Sequence, residues 1–384
     1  MLKIERVAMF SNIVIEEKGK KIQFDLHNVD LAFANSMRRV ILKDIPNVAF
    51  GNSNSSQTNT EEPYDITFIT NTTALHNEQM GHRISLVPVC LSDSEIDDVT
   101  RGSTSGPTSL LSRRFTLNVE NKDSHEPIVV TTRDIVIDGE DNNNLRNRWL
   151  PPDDITKDHI ILTKLKKGEH IHAEFGIVLG TAGQHARWCP VSNSVYYNIL
   201  DKDEVEKQKK KIKDDDMNKF ETLDKWRLFT KNKYGEPDGF HFTVDSECGM
   251  TSKYLVNKSF DILIGKLERL LKPGVFQVEV IDLATMMYAI YADNDDHTIG
   301  NLLMSSTYNT LVREKREQDD GSQILAYIGY YQPHPLETRI VYKVRFLKMV
   351  DPIAFMQGSA RATISVIEKM KREWLKLTEQ KIKK

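Results

Sequence analysis

The chain repeats itself at long range. Asp30, Phe33, Ala34, Asn35 and Met37 recur as Asp296, Ile299, Gly300, Asn301 and Leu303, all at one offset of 266 residues. The same offset carries Ile22, Phe24 and Leu26 onto Tyr288, Ile290 and Ala292, a stretch with β spacing just before each helix. Each copy therefore reads as strand, aspartate cap, helix with a small residue followed by Asn, more strand, and a closing helix. One offset shared by two elements marks a related structural unit. A small sheet with two helices has more apolar helix face than it can cover alone. Two such units can bury those faces against one another, and fusion makes the pairing intramolecular at an effective concentration on the order of mM. The expected fold is α+β: two paired modules of small sheet plus two helices.

The first copy is interrupted. Its opening strand and helix lie in residues 1–50, and its closing strand and helix in 237–272, with 51–236 inserted. The second module occupies 273–384. Asp30 caps a helix through Lys43, and Pro46 follows it. The turn-rich stretch Gly51 to Pro63 marks the first boundary. The inserted segment reads as mostly β, with polar loops at Ser92 to Arg114 and Asp141 to Asp154. Lys207 to Lys213 runs into Asp214, Asp215 and Asp216, a self-neutralising solvated stretch. A helix capped by Thr251 or Ser252 carries Leu255, Ile262, Leu263, Leu267 and Leu270, and stops at Lys272-Pro273-Gly274. In the last module a pair of strands precedes the helix at Asp296, and a hairpin brackets Gln332-Pro333-His334-Pro335. Asp351-Pro352 then opens a terminal helix of about 45 Å. Its seam is Ile353, Met356, Ala360, Thr363, Ile367, Met370, Trp374 and Leu377. The faces expected to join the modules are Phe33, Met37, Ile41, Leu263, Leu267, Leu302, Leu303, Ile367, Met370 and Trp374.

Composition narrows the function classes. Among 384 residues, 52 Lys plus Arg stand against 55 Asp plus Glu, a net charge of −3. That argues against a chain whose whole surface tracks a phosphate backbone. Cys90, Cys189 and Cys248 are too scattered for a Cys-x-x-Cys zinc site or a disulfide framework. Lys3, Glu5 and Arg6 do not suit a secretory signal, and the apolar run Ala284 to Ala292 is too short to span a bilayer. A multidomain intracellular protein, with no membrane partner, is the expectation.

Asp293, Asp295 and Asp296 raise a metal-dependent nucleotidyltransferase or hydrolase as an alternative. Such a site needs carboxylates converging from separate elements, whereas the repeat equates Asp296 with the helix cap Asp30. His170, His172, His185 and Cys189 have the residue types of a zinc site, but Lys166, Lys167 and Glu169 suit a solvated edge and Trp188 beside Pro190 suits packing. No Ser/His/Asp set, cysteine nucleophile motif or phosphate-cradling glycine loop is present. Arg38 and Arg39 lie about 100° apart on a helix, so one is expected at the core rim and the other at a partner.

The stretch from Asp30 through Asn35, Arg38 and Arg39 to Ile45-Pro46 resembles the signature of alpha-type RNA polymerase subunits. Glu78 to Pro88, with His82 and Arg83, and His185-Ala-Arg-Trp188-Cys-Pro190-Val resemble the eukaryotic third subunit. Asp296-His297-Thr-Ile-Gly-Asn301 and Tyr331-Gln-Pro-His334-Pro335-Leu-Glu resemble the eleventh subunit. The resemblance implies a fusion of the two, as in large DNA viruses of eukaryotes. It implies a non-catalytic assembly platform on which the second-largest subunit docks through Asn35, Arg38, Arg39, His82 and Arg83. The largest subunit and small zinc-ribbon subunits would complete the complex, with DNA reached only through it and no homo-oligomer required. No catalytic residue, metal or cofactor is expected in this chain; magnesium and zinc would belong to other subunits. Many third subunits carry a cysteine-rich zinc loop in the inserted domain; the corresponding region here offers only Cys90, since Cys189 stands apart in the Trp188-Cys-Pro190 stretch. A viral source would place the protein in the virion, or in host cytoplasm or nucleus.

Overall fold

A computed structural model describes residues 9–51, 66–102, 110–138, 142–212, 216–315 and 322–382. The fold is mixed α/β, with two compact units. The first comprises Met1–Ile41, Ser194–Val244 and Leu255–Lys384; the second comprises Leu42–Asn193 and Asp245–Tyr254.

The elements of the first unit, in chain order, begin with strands β1 (Phe10–Glu16) and β2 (Lys21–His27) and helix α1 (Leu31–Lys43). They continue with β3 (Val191–Asn198), β4 (Gly239–Ser246) and α2 (Ser252–Arg269). After these come β5 (Phe276–Asp282), β6 (Met287–Asp293), α3 (His297–Tyr308), β7 (Leu325–Tyr331), β8 (Arg339–Phe346) and α4 (Pro352–Ile382). The order ββαββα occurs twice. Both four-stranded sheets have the same arrangement, β1-β2-β4-β3 and β5-β6-β8-β7.

The local causes are readable. In β2 the alternate residues Ile22, Phe24 and Leu26 are fully buried, as period-two patterning requires. Helix α1 buries Phe33, Met37, Val40 and Ile41 at helical spacing. Asp351 accepts a hydrogen bond from the Ile353 amide (3.0 Å) where α4 begins, and the 31 residues of α4 give a rod of about 46 Å. Met356, Ala360, Thr363, Ile367, Met370 and Trp374 are buried along it, whereas Ile353, in its first turn, is exposed.

Trp374 anchors the far end of α4. Its ring lies 5.3 Å from Phe10 and 4.9 Å from Phe24, both on the first sheet. Phe24 stacks on Phe242 at 5.1 Å, and Phe260 closes the cluster 6.2 Å from Phe10. Burying rings of this size dominates the energetics of such a core.

Two expectations need correction. The segment 51–236 was expected to be all insertion, yet Val191–Asn198 is a strand of the first sheet. It is an edge strand in which only Val191 and Ser194 are buried, and its polar sequence hides it. The segment is also mixed rather than mostly β: helices occupy Asn77–Ser85, Asp93–Arg101, Asn142–Trp149, Lys202–Lys209 and Met217–Thr222. Beyond Gly51, the expected boundary stretch to Pro63 lies outside the described residues, as do Lys213, Asp214 and Asp215.

The second unit is built on His170–Thr181, which pairs with Pro46–Gly51, Thr67–Asn71 and Phe115–Glu120. Phe50, Phe115 and Phe175 meet edge to face or stacked within 6 Å at its centre. The helix Asp93–Arg101 starts with a capping box, Ser92 with Glu95.

Candidate assembly interface

The two cap aspartates each use one oxygen at home and one abroad. Asp30 Oδ1 accepts from the Ala32 amide (3.1 Å), satisfying an orphan donor of α1. Its Oδ2 accepts from the Ser305 hydroxyl on α3 and from Nδ2 of Asn309, the residue just after α3 (3.1 Å). Asp296 Oδ1 accepts from the Thr298 amide (2.9 Å) at the start of α3, and its Oδ2 lies 3.5 Å from Arg39 Nη2 on α1. The offset of 266 that equates Asp30 with Asp296 also equates Arg39 with Ser305. Aspartate i thus meets position j of the other helix in both directions.

More contacts fill the space between these helices. Arg39 Nε donates to Thr298 Oγ1 (2.9 Å), and the buried Ser36 hydroxyl reaches Thr298 O (3.1 Å) as well as Ala32 O (2.7 Å). Ala34 and Gly300, the small residues of the repeat, are both buried. A Cβ on Gly300 would stand 2.8 Å from the Tyr330 ring, so the close packing of α3 on its sheet needs glycine.

The aspartate run after β6 does not converge. Asp293 meets Arg339 Nε of the adjacent strand at 2.5 Å. Asp295 lies 2.6 Å from Arg269 Nη2 at the end of α2, and Arg269 Nη1 donates to Asp293 O (2.8 Å). Asp296 takes Arg39. Burial pushes the Asp295 carboxyl up to about 6, against the opposing pull of Arg269. Three carboxylates therefore serve three arginines on three elements, an arrangement for tying elements together rather than for holding a metal. Among the described residues no group of three or more His, Cys, Asp or Glu could hold a metal ion.

All ten residues expected on the joining faces (Phe33, Met37, Ile41, Leu263, Leu267, Leu302, Leu303, Ile367, Met370 and Trp374) are buried in this unit. Of the residues expected to dock a partner, Arg38 is half-buried and donates to Asn35 Oδ1 from Nε (3.2 Å) and Nη2 (2.9 Å). Arg39 turns inward to α3, because Asp296 and Thr298 present acceptors there. It is a contact within the chain.

His82 and Arg83 belong to the second unit. Arg83 donates to the carbonyls of Leu162 (2.9 Å) and Ile161 (3.0 Å), while the exposed His82 ring lies 6.2 Å from that of His185. Two motif stretches distant in sequence therefore meet there. Trp188 donates its indole N–H to Val178 O (3.0 Å) and covers Gly180, where a Cβ would stand 2.5 Å from the ring. Pro190 O accepts from the Glu247 amide (3.1 Å). His170 bonds Asn118 Oδ1 (2.8 Å), and His172 lies 4.0 Å from Glu174, so neither joins His185. In the first unit, exposed His297 lies 5.8 Å from the Tyr330 ring, Asn301 is half-buried, and exposed His334 accepts from the Leu336 amide (3.2 Å) next to Pro335.

The sequence reading missed Ser305, Asn309, Ser36 and Arg269. A signal for one of them exists: once Asp296 is matched to Arg39 across the repeat, the offset points from Asp30 to Ser305.

Fold and site together define a mixed α/β chain organised around a ladder between paired helices. The chain belongs to the RNA polymerase Rpb3/Rpb11 dimerisation domain family, which matches residues 23–267. That match ends before β5. The DNA-directed RNA polymerases I and III subunit RPAC1 of Saccharomyces cerevisiae is 27% identical over 193 residues, 46% of this chain and 53% of that protein. The DNA-directed RNA polymerase subunit Rpo3 of Thermococcus kodakarensis is 26% identical over 201 residues, 50% of this chain and 61% of that protein. A conjugation stage-specific protein of Tetrahymena thermophila is 27% identical over 187 residues, 46% of this chain and 55% of its own length. The chain thus spans roughly half to three-fifths of the relatives it matches.

Proposed function

We propose that this chain is a non-catalytic assembly-platform subunit of a multisubunit DNA-directed RNA polymerase. In this reading it is two dimerisation modules in one polypeptide, the first similar to a third subunit and the second to an eleventh, paired as a pseudo-dimer. The first module is interrupted by an inserted domain. The observation that carries the reading is the reciprocal use of the cap aspartates, Asp30 to Ser305 and Asp296 to Arg39, at one offset. A two-fold interface gives this pattern, residue i on j and j on i. The identical strand order of the two sheets supports it. Family membership and the RNA polymerase subunits among its relatives supply the complex.

Asn35 and Arg38 on α1, with His82 and Arg83 in the second unit, are the proposed contacts for the second-largest subunit; Arg39 contributes by fixing α1. The largest subunit and small zinc-ribbon subunits complete the partner set, and magnesium and nucleotide chemistry belong to other chains. Fusion of the two modules in one polypeptide suits a large DNA virus of eukaryotes, with the protein in virions or the infected cell. Tagged protein recovered from its native source should bring down two chains well above about 100 kDa, the size that large multidomain subunits reach. Recovery of this chain alone would end the proposal.

A further inference from the structure

The two sheets differ on the faces turned away from the helices. On the first, Asp25 is buried and held by His241 Nδ1 (2.5 Å) and Asn12 Nδ2 (2.6 Å), while Ser11 pairs with His27 (2.8 Å). That face satisfies itself. The second sheet is different in kind.

Register fixes which residues share its outer face. Ile290, Tyr342, Ile340 and Val344 point inward and are buried, so their neighbours in sequence point outward. Across the strands the outer rows are Met287–Arg345–Tyr327, Ala289–Lys343–Gly329, Tyr291–Val341–Tyr331 and Asp293–Arg339; within them the small apolar residues Ala289 and Val341 are buried among the longer side chains of their rows. The central strand β8 therefore carries Arg339, Lys343 and Arg345 on this face, flanked by Tyr291 on one neighbour and by Tyr327 and Tyr331 on the other. Lys343 and Arg345 are exposed; Tyr327 and Tyr331 are 49% and 41% exposed.

The three rings are held in two ways, Tyr327 against the strand and Tyr331 and Tyr291 each under a cation of β8. A Cβ on Gly329 would stand 2.3 Å from the Tyr327 hydroxyl oxygen. The absence of a side chain there lets the Tyr327 ring lie down over the strand with a face to solvent. Lys343 Nζ sits 5.1 Å from the Tyr331 ring centre, and the Arg339 guanidinium 5.9 Å from that of Tyr291. Glu279 accepts from the Tyr291 hydroxyl, and Asp293 is paired with Arg339. The acids are thus engaged, while the solvent-exposed charge of β8 is positive.

We propose that this outer face is a stacking platform for single-stranded RNA. Unstacked bases lie on tyrosine rings and the phosphate backbone tracks the cations of β8, the chemistry by which open four-stranded sheets take single strands. Lys343 and Arg345 are two residues apart, about 6.8 Å along a strand, which suits successive phosphates of an extended chain. Glu279, held by Tyr291, is an acceptor for a ribose 2′-hydroxyl, the group that separates RNA from DNA. A protein partner with acidic side chains would use the cations but has no need of a ring lying over the strand as that of Tyr327 does. The site is independent of the assembly role proposed above.

The test is fluorescence anisotropy of the full chain with a labelled twelve-nucleotide oligouridylate, over a range of salt. Lys343→Ala/Arg345→Ala should weaken binding at least about tenfold and flatten the log–log salt slope by about 1.4, two phosphates at about 0.7 each. Tyr331→Leu, which keeps apolar volume but removes the ring, should weaken binding at least about fivefold with the slope unchanged. Arg361→Ala/Lys369→Ala, on the exposed side of α4, should leave both unchanged. The DNA oligomer of the same length should bind measurably less tightly, and polyglutamate should not compete. Absence of RNA binding overturns the proposal. So does equal loss in the α4 variant, equal affinity for DNA, or displacement by polyglutamate.

Discussion

The helix caps at Asp30 and Asp296 do the same geometric job with different chemistry. Each holds its own helix with Oδ1 and the opposite helix with Oδ2. Asp30 finds neutral donors, Ser305 and Asn309, whereas Asp296 finds the cation Arg39. In a self-associating dimer both sites would have to be identical. Within one polypeptide the two sites are free to diverge, and they have: one link between the helices is neutral and the other is an ion pair. The lesson extends to the sheets, which keep one strand order while one closes its outer face with hydrogen bonds and the other leaves rings and cations exposed.

The largest expected effect comes from what both halves share, the apolar seam. Leu267→Asp or Ile367→Asp would bury a charge where no partner exists, and should lower stability by several kcal/mol in chemical denaturation. Trp374→Ala should cost about 3–5 kcal/mol, because its ring fills the space between Phe10 and Phe24. A loss under about 1 kcal/mol would mean that α4 does not tie the second module to the first sheet.

The caps come next. Asp296→Ala and Asp30→Ala should each cost about 1–2 kcal/mol, from the lost cap and the lost link between helices. Salt separates them. Arg39 and Asp296 are partly exposed, so the Asp296→Ala deficit should shrink between low and high ionic strength while that of Asp30→Ala stays level. Equal salt dependence would erase the chemical distinction between the two sites.

A smaller effect tests the buried pair behind the caps. Burial raises the folded-state carboxyl of Asp295 to about 6 from an ordinary value of 3.8. Its contribution to stability is therefore full below the ordinary value and is lost as pH rises through about 6. Asp295→Asn, which mimics the protonated acid, should gain on the wild type by on the order of 1 kcal/mol between pH 5 and pH 7.5. A flat difference in denaturation across that range would show that Arg269 fully compensates the burial. Ser305→Ala removes one neutral link and leaves the cap, so it should cost less than Asp30→Ala, about 0.5–1 kcal/mol.

Helices α1, α3 and α4 were legible because their signals are local: an aspartate cap, apolar residues at helical spacing, and a proline after α1 or at the start of α4. Strand β3 was not, since Val191-Ser-Asn-Ser-Val-Tyr-Tyr-Asn198 is a half-exposed edge with little alternation. The helix at Asp93–Arg101 sits in a stretch whose Ser, Thr and Asp content reads as loop, although Ser92 and Glu95 spell a capping box. Of the site, the buried faces and cap residues were visible. The direction of Arg39 was not, because adjacent helix positions become distinguishable only once the opposing helix is known. Arg269 escaped for a similar reason: it pairs with Asp295 across a turn and two strands, a distance that no local pattern encodes.

Pairing of the two modules is tested most directly by separating them. Residues 1–272 and 273–384 produced as two chains and mixed at micromolar concentration should sediment as a one-to-one complex, and Leu267→Asp in the first should weaken it. Two species that sediment as independent monomers would contradict the pairing.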